Sequence, residues 1–285
     1  MTKEYQLVTI ITPTYNRADF IEETILSVIK QDYPNIEYIV LDDGSTDNTS
    51  KILEKYKGQI IWKRHDNVGE QNTVNQGFQM AKGDLVCFVN SDDPLYPGAI
   101  QKMVRALQDN PDSLAAYPDW DEIDASSKII RTLRLPEYDI QEMLTSLDVS
   151  LGPGLVFRRK SINSKDLRDA PLKYAGDLDL YFRLALSGRL IHVPEVLATH
   201  RVHASAASTT GKGGDMADQL VKVVYQALDH PNFPQDLRNM RPKIRYRIHD
   251  LATKYCGSDV PAKYKHLLLS AFWKIPDFFI RKFYL

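Results

Sequence analysis

Cysteine is scarce in this sequence: Cys87 and Cys256 are the only two in 285 residues. A disulfide framework or a cysteine-rich zinc site needs more. Two reduced thiols in a cytosolic protein is the reading that remains, and Cys87, inside an apolar strand pattern, is expected in the core. Long apolar runs are missing too. No stretch reaches the ~18–20 residues of a membrane span, and the richest, His266–Leu285, is broken by Lys274, Asp277, Arg281 and Lys282. Met1–Tyr5 leads into the apolar run Leu7–Ile11 with no cleavage-type segment between, so a cytoplasmic catalytic part is expected. Charge of one sign is also absent. With 36 Lys+Arg against 37 Asp+Glu the net is −1, and no global basic field invites nucleic acid. Finally, no G-x-G-x-x-G follows the first strand and no G-x-x-x-x-G-K-[ST] occurs anywhere. This argues against a dinucleotide dehydrogenase and a P-loop NTPase.

What is present reads as an ordinary globular chain, 43% hydrophobic and 26% charged, which excludes wholesale disorder. Its length fits one large α/β domain or two units. The near-zero net charge hides a split. Residues 236–285 hold 11 Lys+Arg and 4 Asp+Glu, a net of +7, and the first 235 carry −8. A basic tail on an acidic body points to an anionic partner for the tail.

The first hundred residues alternate strand and helix patterns. Strands are expected at Leu7–Ile11, Ile36–Leu41, Ile60–Lys63 and Leu85–Val89. Helices are expected at Arg17–Lys30, at Thr46–Tyr56 with Ser45 as N-cap, at Glu70–Ala81 with Gly83 as a left-handed stop, and at Tyr96–Gln108. This order predicts a mainly parallel, Rossmann-like sheet flanked by helices. Further on, strands are expected at Ala115–Tyr117, Ile129–Leu133, in Leu151–Arg159, and at His192–Arg201, with a helix over Asp177–Ser187. Thr209–Asp215 reads as a mobile loop. Helices Met216–Leu228, Pro234–Tyr255 and Lys263 onward form a C-terminal extension. The implied divisions are 1–110, 111–210 and 211–285.

Ligands of such sheets gather beyond the carboxyl ends of the strands, and the polar clusters fall there: Thr12–Arg17, Asp42–Thr49 and Asn90–Asp93. Adjacent carboxylates at the end of a buried strand repel unless a cation or donors offset them. Oxygen ligands suit Mg²⁺ or Mn²⁺ bridging to substrate phosphates. Turn chemistry before Pro94, and capping by Ser45, are the plain alternatives. A carboxylate at Asp42 or Asp43 can also accept the imide N–H of a uracil or thymine ring.

Thr12-Pro13-Thr14-Tyr15-Asn16-Arg17, Asp42-Asp43-Gly44-Ser45-Thr46-Asp47, Asn67-x-Gly69, Asn75-x-Gly77, Gly83-Asp84 and Asn90-Ser91-Asp92-Asp93 together resemble the family 2 glycosyltransferases of GT-A fold. Tyr174–Leu184 resembles the family's acceptor-side helix, and Arg201-Val202-His203 with Ser205 or Ser208 its closing motif. The likeness covers roughly residues 7–208. It implies a base pocket lined by Pro13, Tyr15 and Asp43, with Asp42 and Asn67 nearby. Arg17 would approach a phosphate or support the loop. Asp92 would lie near the ribose and Asp93 would ligate the metal. Asp177 would be the catalytic base. His203 would be a metal or diphosphate contact, with Arg201 a second candidate. Two departures stand out: Gly176 replaces the usual Glu before Asp177, leaving Asp179 as the fallback base, and Asn90 replaces a common Asp.

The expected reaction is an inverting, metal-dependent transfer from a UDP- or dTDP-sugar to a glycan or lipid-linked acceptor, as in bacterial polysaccharide or lipopolysaccharide synthesis. One displacement needs one base and no enzymic nucleophile. Trp120, Asp121 and Gly152-Pro153-Gly154 are further candidates for sugar or acceptor contact. His192 and His200 read as structural. A degenerate sugar-nucleotide binder, supported only by Gly176, and a nucleotidyltransferase, which would want a basic Gly-rich loop after the first strand, are the competing classes. In the tail, aromatic and basic residues interleave over 263–285. That pattern suits either peripheral contact with the cytoplasmic face of an inner membrane or a helix packed on the protein. The sequence leaves oligomeric state open.

Overall fold

The computed structural model describes residues 5–147, 151–162, 167–204 and 213–274. Ser205, Ser208, most of the Thr209–Asp215 loop and the tail beyond Lys274 lie outside them. The contacts gather into two units: residues 1–138, 150–170 and 187–203, and residues 139–149, 171–186 and 204–285.

The first unit is built on an eight-stranded sheet. Its strands are β1 (Val8–Thr14), β2 (Ile36–Asp42), β3 (Ile61–Arg64), β4 (Leu85–Phe88), β5 (Ala115–Ile123), β6 (Ile129–Leu133), β7 (Val156–Arg158) and β8 (Leu190–Arg201). The order is β3-β2-β1-β4-β7-β5-β6, and β8 pairs with β5. The strands β1 to β4 run parallel, β7 is antiparallel to β4 and β5, and β5 and β8 are parallel. β1 is buried at all seven positions, as a central strand covered on both faces must be. The helices are α1 (Ile21–Ile29), α2 (Thr49–Lys55), α3 (Glu70–Met80) and α4 (Ala99–Asp109). α4 buries Ala99, Ile100, Met103, Val104 and Leu107, a single apolar stripe at helical spacing. The chain leaves β1 toward β2 on one side and returns to β4 on the other. The carboxyl ends of β1, β2 and β4 therefore meet at a topological switch point, where ligands of such sheets bind.

Three local expectations are corrected. Ser45 does not cap a helix: α2 begins at Thr49 after Asn48, and the Ser45 hydroxyl instead accepts from the Asn16 N–H at 2.9 Å. Gly83 is not left-handed. A Cβ there would lie 2.6 Å from the Thr9 nitrogen and 2.7 Å from the Leu7 oxygen, so close approach to β1 is what requires glycine. β5 runs on past Tyr117 to Ile123, through Pro118 and three acidic residues. Its Asp119 is offset by Arg134 at 2.8 Å, the Leu135 N–H at 2.8 Å and His192 at 2.8 Å. The structural reading of His192 agrees with this bond. Cys87 is fully buried, and burial pushes its thiol pKa up to about 12.

The second unit holds the helices α5 (Ile140–Ser146), α6 (Gly176–Ser187, but for its last residue), α7 (Gly214–Leu228), α8 (Arg241–Tyr255) and α9 (Val260–Lys274). α5 was not legible as a helix, although Asp139 caps it by accepting from the N–H groups of Gln141 and Glu142. Where one helix is expected from Pro234 to Tyr255, a 3₁₀ segment, Gln235–Met240, precedes α8. Ala217, Ala252 and Cys256 form a small core. A buried polar chain joins the last three helices. Tyr225 meets His249 Nε2 at 3.0 Å, and His249 Nδ1 meets His266 Nδ1 at 3.0 Å. His266 Nε2 lies 3.2 Å from Asp218.

Gly83→Ala forces β1 to shift and should cost about 1–3 kcal/mol, read as a lower Tm. The histidine chain makes stability depend on pH. Burial lowers His249 to about 4, with the His266 and Lys265 charges adding and Asp218 opposing. Burial also lowers His266. Both folded values lie below the ordinary 6.5, so the unfolded chain binds more protons as pH falls. The stability is fully present above about pH 6.5 and is lost toward about pH 4. Melting curves across this window should show that decline, flattened in His249→Gln.

Candidate active site

Three loops at the carboxyl ends of β1, β2 and β4 are tied together by side chains that accept backbone N–H groups. Asn16 holds a left-handed backbone at φ 51°, a conformation asparagine tolerates better than most residues. Its Oδ1 accepts from the N–H of Thr46 at 2.7 Å and of Asp47 at 3.3 Å. Asp47 answers by accepting from the Ala18 N–H at 3.0 Å. The first two loops are thereby locked to each other.

Asp42 is fully buried. Its Oδ1 accepts from the Ser45 N–H at 2.8 Å and its Oδ2 from the Ser50 hydroxyl. It builds the turn and faces no open space. Asp43 is 3% exposed. One oxygen accepts from the Val68 N–H at 2.7 Å, the other from the Gly69 N–H at 3.0 Å. Asn67 donates to the Asp43 carbonyl at 2.9 Å. The loop before α3 thus hangs on one carboxylate, with His65 Nδ1 3.4 Å away. Gly44 is needed here: its φ is +78°, and a Cβ would lie 2.8 Å from the Asn67 nitrogen. Pro13 is buried within β1, opposite Leu41. Tyr15 is 44% exposed, an aromatic face open to a ring.

The two carboxylates after β4 differ. Asp93 is 2% exposed. Its Oδ1 accepts from the Arg201 N–H at 2.7 Å and its Oδ2 from Asn90 Nδ2 at 2.9 Å. His200 Nδ1 lies 3.7 Å from Oδ2, and the Asp93 carboxylate beside it raises the His200 pKa. Asp92 is more open. Its Oδ2 accepts from Arg17 Nε at 3.2 Å and shares a hydrogen bond with His203 Nε2 at 2.9 Å, and its Oδ1 carries neither bond. A carboxylate oxygen beside an imidazole nitrogen is a donor set for a hard divalent cation. Among the described residues no three His, Cys, Asp or Glu converge into a cage. A cation held by one or two protein ligands and completed by substrate phosphates needs no cage. The pair Asp92–His203 therefore fits Mg²⁺ or Mn²⁺, and Asp93, whose side chain is 3% exposed against 14% for Asp92, is the less accessible of the two carboxylates.

Arg201 is 1% exposed, and its guanidinium is engaged in bracing contacts. Its Nε donates to the Asp92 carbonyl at 2.8 Å, Nη1 to the Asp124 carbonyl at 3.0 Å and Ser127 Oγ at 2.9 Å, and Nη2 to Glu23 at 2.7 Å. The Phe20 ring lies against both Arg201, at 5.1 Å, and His203, at 4.6 Å. Periodicity marks Phe20 only as an inward residue before α1, and its second use was not legible. Arg168 was missed as well. It is 6% exposed, donates to Gln71 Oε1 at 3.0 Å and lies over the Phe88 ring at 5.3 Å.

Asp121 is buried and accepts from the Tyr96 and Thr132 hydroxyls at 2.7 and 2.6 Å; it braces β5. Trp120 keeps its indole N–H buried without a partner among the described residues, and a Cβ at Gly152 would strike that ring. In the second unit, Asp177 and Asp179 stand in the first turn of α6, where the helix dipole favours negative charge. Asp177 is half-buried. Asp179, the fallback base, is buried and tied to Arg183 at 2.8 Å.

The profile of glycosyl transferase family 2 matches residues 9–165. An uncharacterized glycosyltransferase of Rickettsia typhi is 34% identical over 215 residues, covering 72% of this chain and 66% of the relative. The chain thus spans slightly less than two thirds of that relative's length. A putative teichuronic acid biosynthesis glycosyltransferase, TuaG of Bacillus subtilis, is 36% identical over 114 residues, 38% of this chain and 45% of TuaG. In structure, S. aureus TarS residues 1–349, solved with UDP-GlcNAc, superposes with a TM-score of 0.68 at 17% identity, covering 94% and 89% of the two chains. The mannosyltransferase PcManGT of Pyrobaculum calidifontis, solved with GDP-Man and Mn²⁺, gives 0.65 at 19% identity, covering 94% and 76%. At these identities the likeness establishes the GT-A fold.

Arg201→Ala tests the bracing role. It removes the partners of the partly buried carbonyls of Asp92 and Asp124, at up to about 1–3 kcal/mol each. The Tm without any nucleotide should fall accordingly. An unchanged Tm with weakened donor binding would instead make Arg201 a donor contact.

Proposed function

Because the chain belongs to glycosyl transferase family 2 and is a glycosyltransferase, we propose that it transfers a sugar, with inversion, from a uridine or thymidine diphosphate sugar. The acceptor is a hydroxyl of a glycan or lipid-linked oligosaccharide in cell-surface polysaccharide synthesis. Residues 1–110 form the nucleotide-sugar half, 111–210 the acceptor half and 211–285 the helical extension, and the reaction belongs to the cytoplasm. The observation that carries the reading is the Asp92–His203–Arg17 cluster at the switch point of the sheet.

Tyr15 offers its face to the base. Asp43 is fixed by two backbone N–H groups and retains a lone pair on each oxygen for an imide N–H. Arg17, paired with Asp92 and 19% exposed at its side chain, contacts a phosphate. A divalent metal, when bound, would sit on Asp92 and His203 and neutralise charge growing on the leaving diphosphate, a role worth several kcal/mol. Asp177 accepts the proton of the attacking hydroxyl. A single displacement with one base inverts the anomeric centre.

Thermal unfolding with UDP, dTDP and GDP, each with and without Mn²⁺, tests the donor site. At 100 times its dissociation constant a ligand adds about 2.7 kcal/mol, and the expected shift is largest for UDP or dTDP with metal. Asp177→Asn should keep that shift and lose about 10²–10⁴-fold in turnover. No shift in folded protein with any nucleotide would leave only a degenerate binder of this fold. Unchanged turnover in Asp177→Asn would remove Asp177 as the base.

A further inference from the structure

We propose that the outward face of α9 docks on an anionic membrane surface. Scattered exposed apolar residues need no explanation, but a contiguous stripe does. Of the eleven large hydrophobic residues exposed among the described residues, five lie on this one helix: Val260, Tyr264, Leu267, Leu268 and Phe272. Leu268 is 71% and Tyr264 64% exposed. At about 100° per residue these five fall on one side of the helix, while the buried His266 and Ser270 fall on the other. Among the described residues, therefore, the face of α9 that carries His266 and Ser270 is buried and the apolar stripe is exposed.

Charge identifies the occupant. Lys263 and Lys274 flank the stripe on one side and Lys265 on the other, all exposed. Lys265 is shared with Asp218 at 2.6 Å, so Lys263 and Lys274 carry most of the attraction. Over residues 260–285 the sequence holds five Lys+Arg against one Asp. An apolar stripe bordered by lysines is how a helix lies in the plane of an anionic lipid interface. No described helix is long and apolar enough to cross a membrane, so the contact is with the surface. A docked α9 gives a lipid-linked acceptor a plane to be met in. Docking is measured without nucleotide or acceptor, so its failure is distinct from a failure of the donor site.

Flotation of the whole chain tests it. Vesicles of phosphatidylcholine with phosphatidylglycerol are compared with phosphatidylcholine alone. The expected result is binding to the mixed vesicles only, weakened by salt. Leu268→Glu with Phe272→Glu should reduce it at least ~10-fold through lost apolar burial. Each lysine near an anionic surface is worth about fivefold, so Lys263→Gln with Lys274→Gln should reduce binding about 25-fold. All four positions are exposed, and equal melting curves would show that the variants fold. Absence of binding to either vesicle overturns the proposal, as does equal binding by the Glu double variant. A dimer in light scattering that this variant splits, with no vesicle binding, would assign the face to a second copy instead.

Discussion

Buried negative charge at the ends of parallel strands is the constraint on which this site depends. Asp42, Asp43 and Asp93 are each 3% exposed or less. Carboxylates that buried survive only where donors replace water. Here the donors are largely backbone N–H groups: Ser45 of its own turn for Asp42, Val68 and Gly69 of the loop before α3 for Asp43, and Arg201 at the end of β8 for Asp93. Each carboxylate therefore fixes the path of a loop. The cost of burying charge is offset by the order it imposes, and the exposed Tyr15 with the partly buried pair Arg17–Asp92 is held on that frame. Preorganisation of this kind lets a site act on developing charge without reorganising first.

Arg201 extends the same logic. One buried guanidinium draws on carbonyls of two loops and on Glu23 of α1, and its own N–H meets Asp93. The strand β8 is thereby joined to the loop after β4, and His203, two residues on, is delivered to Asp92. A histidine at the end of a strand is an ordinary structural residue until such a brace sets its place.

Much of this was legible in the sequence, and the exceptions have physical causes. The alternation through the first hundred residues follows from period alone, because central strands and amphipathic helices bury apolar residues in incompatible patterns. The grouping of polar clusters at strand ends was legible for the same reason. The different hydrogen bonding of Asp92 and Asp93 was not. Adjacent carboxylates look alike until one is seen to accept from a backbone N–H a hundred residues away. The full length of β5 was hidden because Asp119 and Asp121 look like a strand end, and only His192, Arg134, Tyr96 and Thr132 make them compatible with the interior. Gly83 shows the converse case: the residue was noticed and its cause was misread, since proximity to β1 leaves no trace in local sequence.

At the centre stands the proposal that the divalent cation sits on Asp92 and His203, and not on Asp93. The most direct measurement is electron paramagnetic resonance of Mn²⁺ with UDP present, comparing Asp92→Asn with Asp93→Asn. The amide oxygen introduced by Asp93→Asn still accepts from the Arg201 N–H, and the bond from Asn90 Nδ2 is the one lost. The protein-bound Mn²⁺ signal is expected to be lost in Asp92→Asn and retained in Asp93→Asn. Loss in Asp93→Asn with retention in Asp92→Asn, both proteins folded, would contradict the assignment.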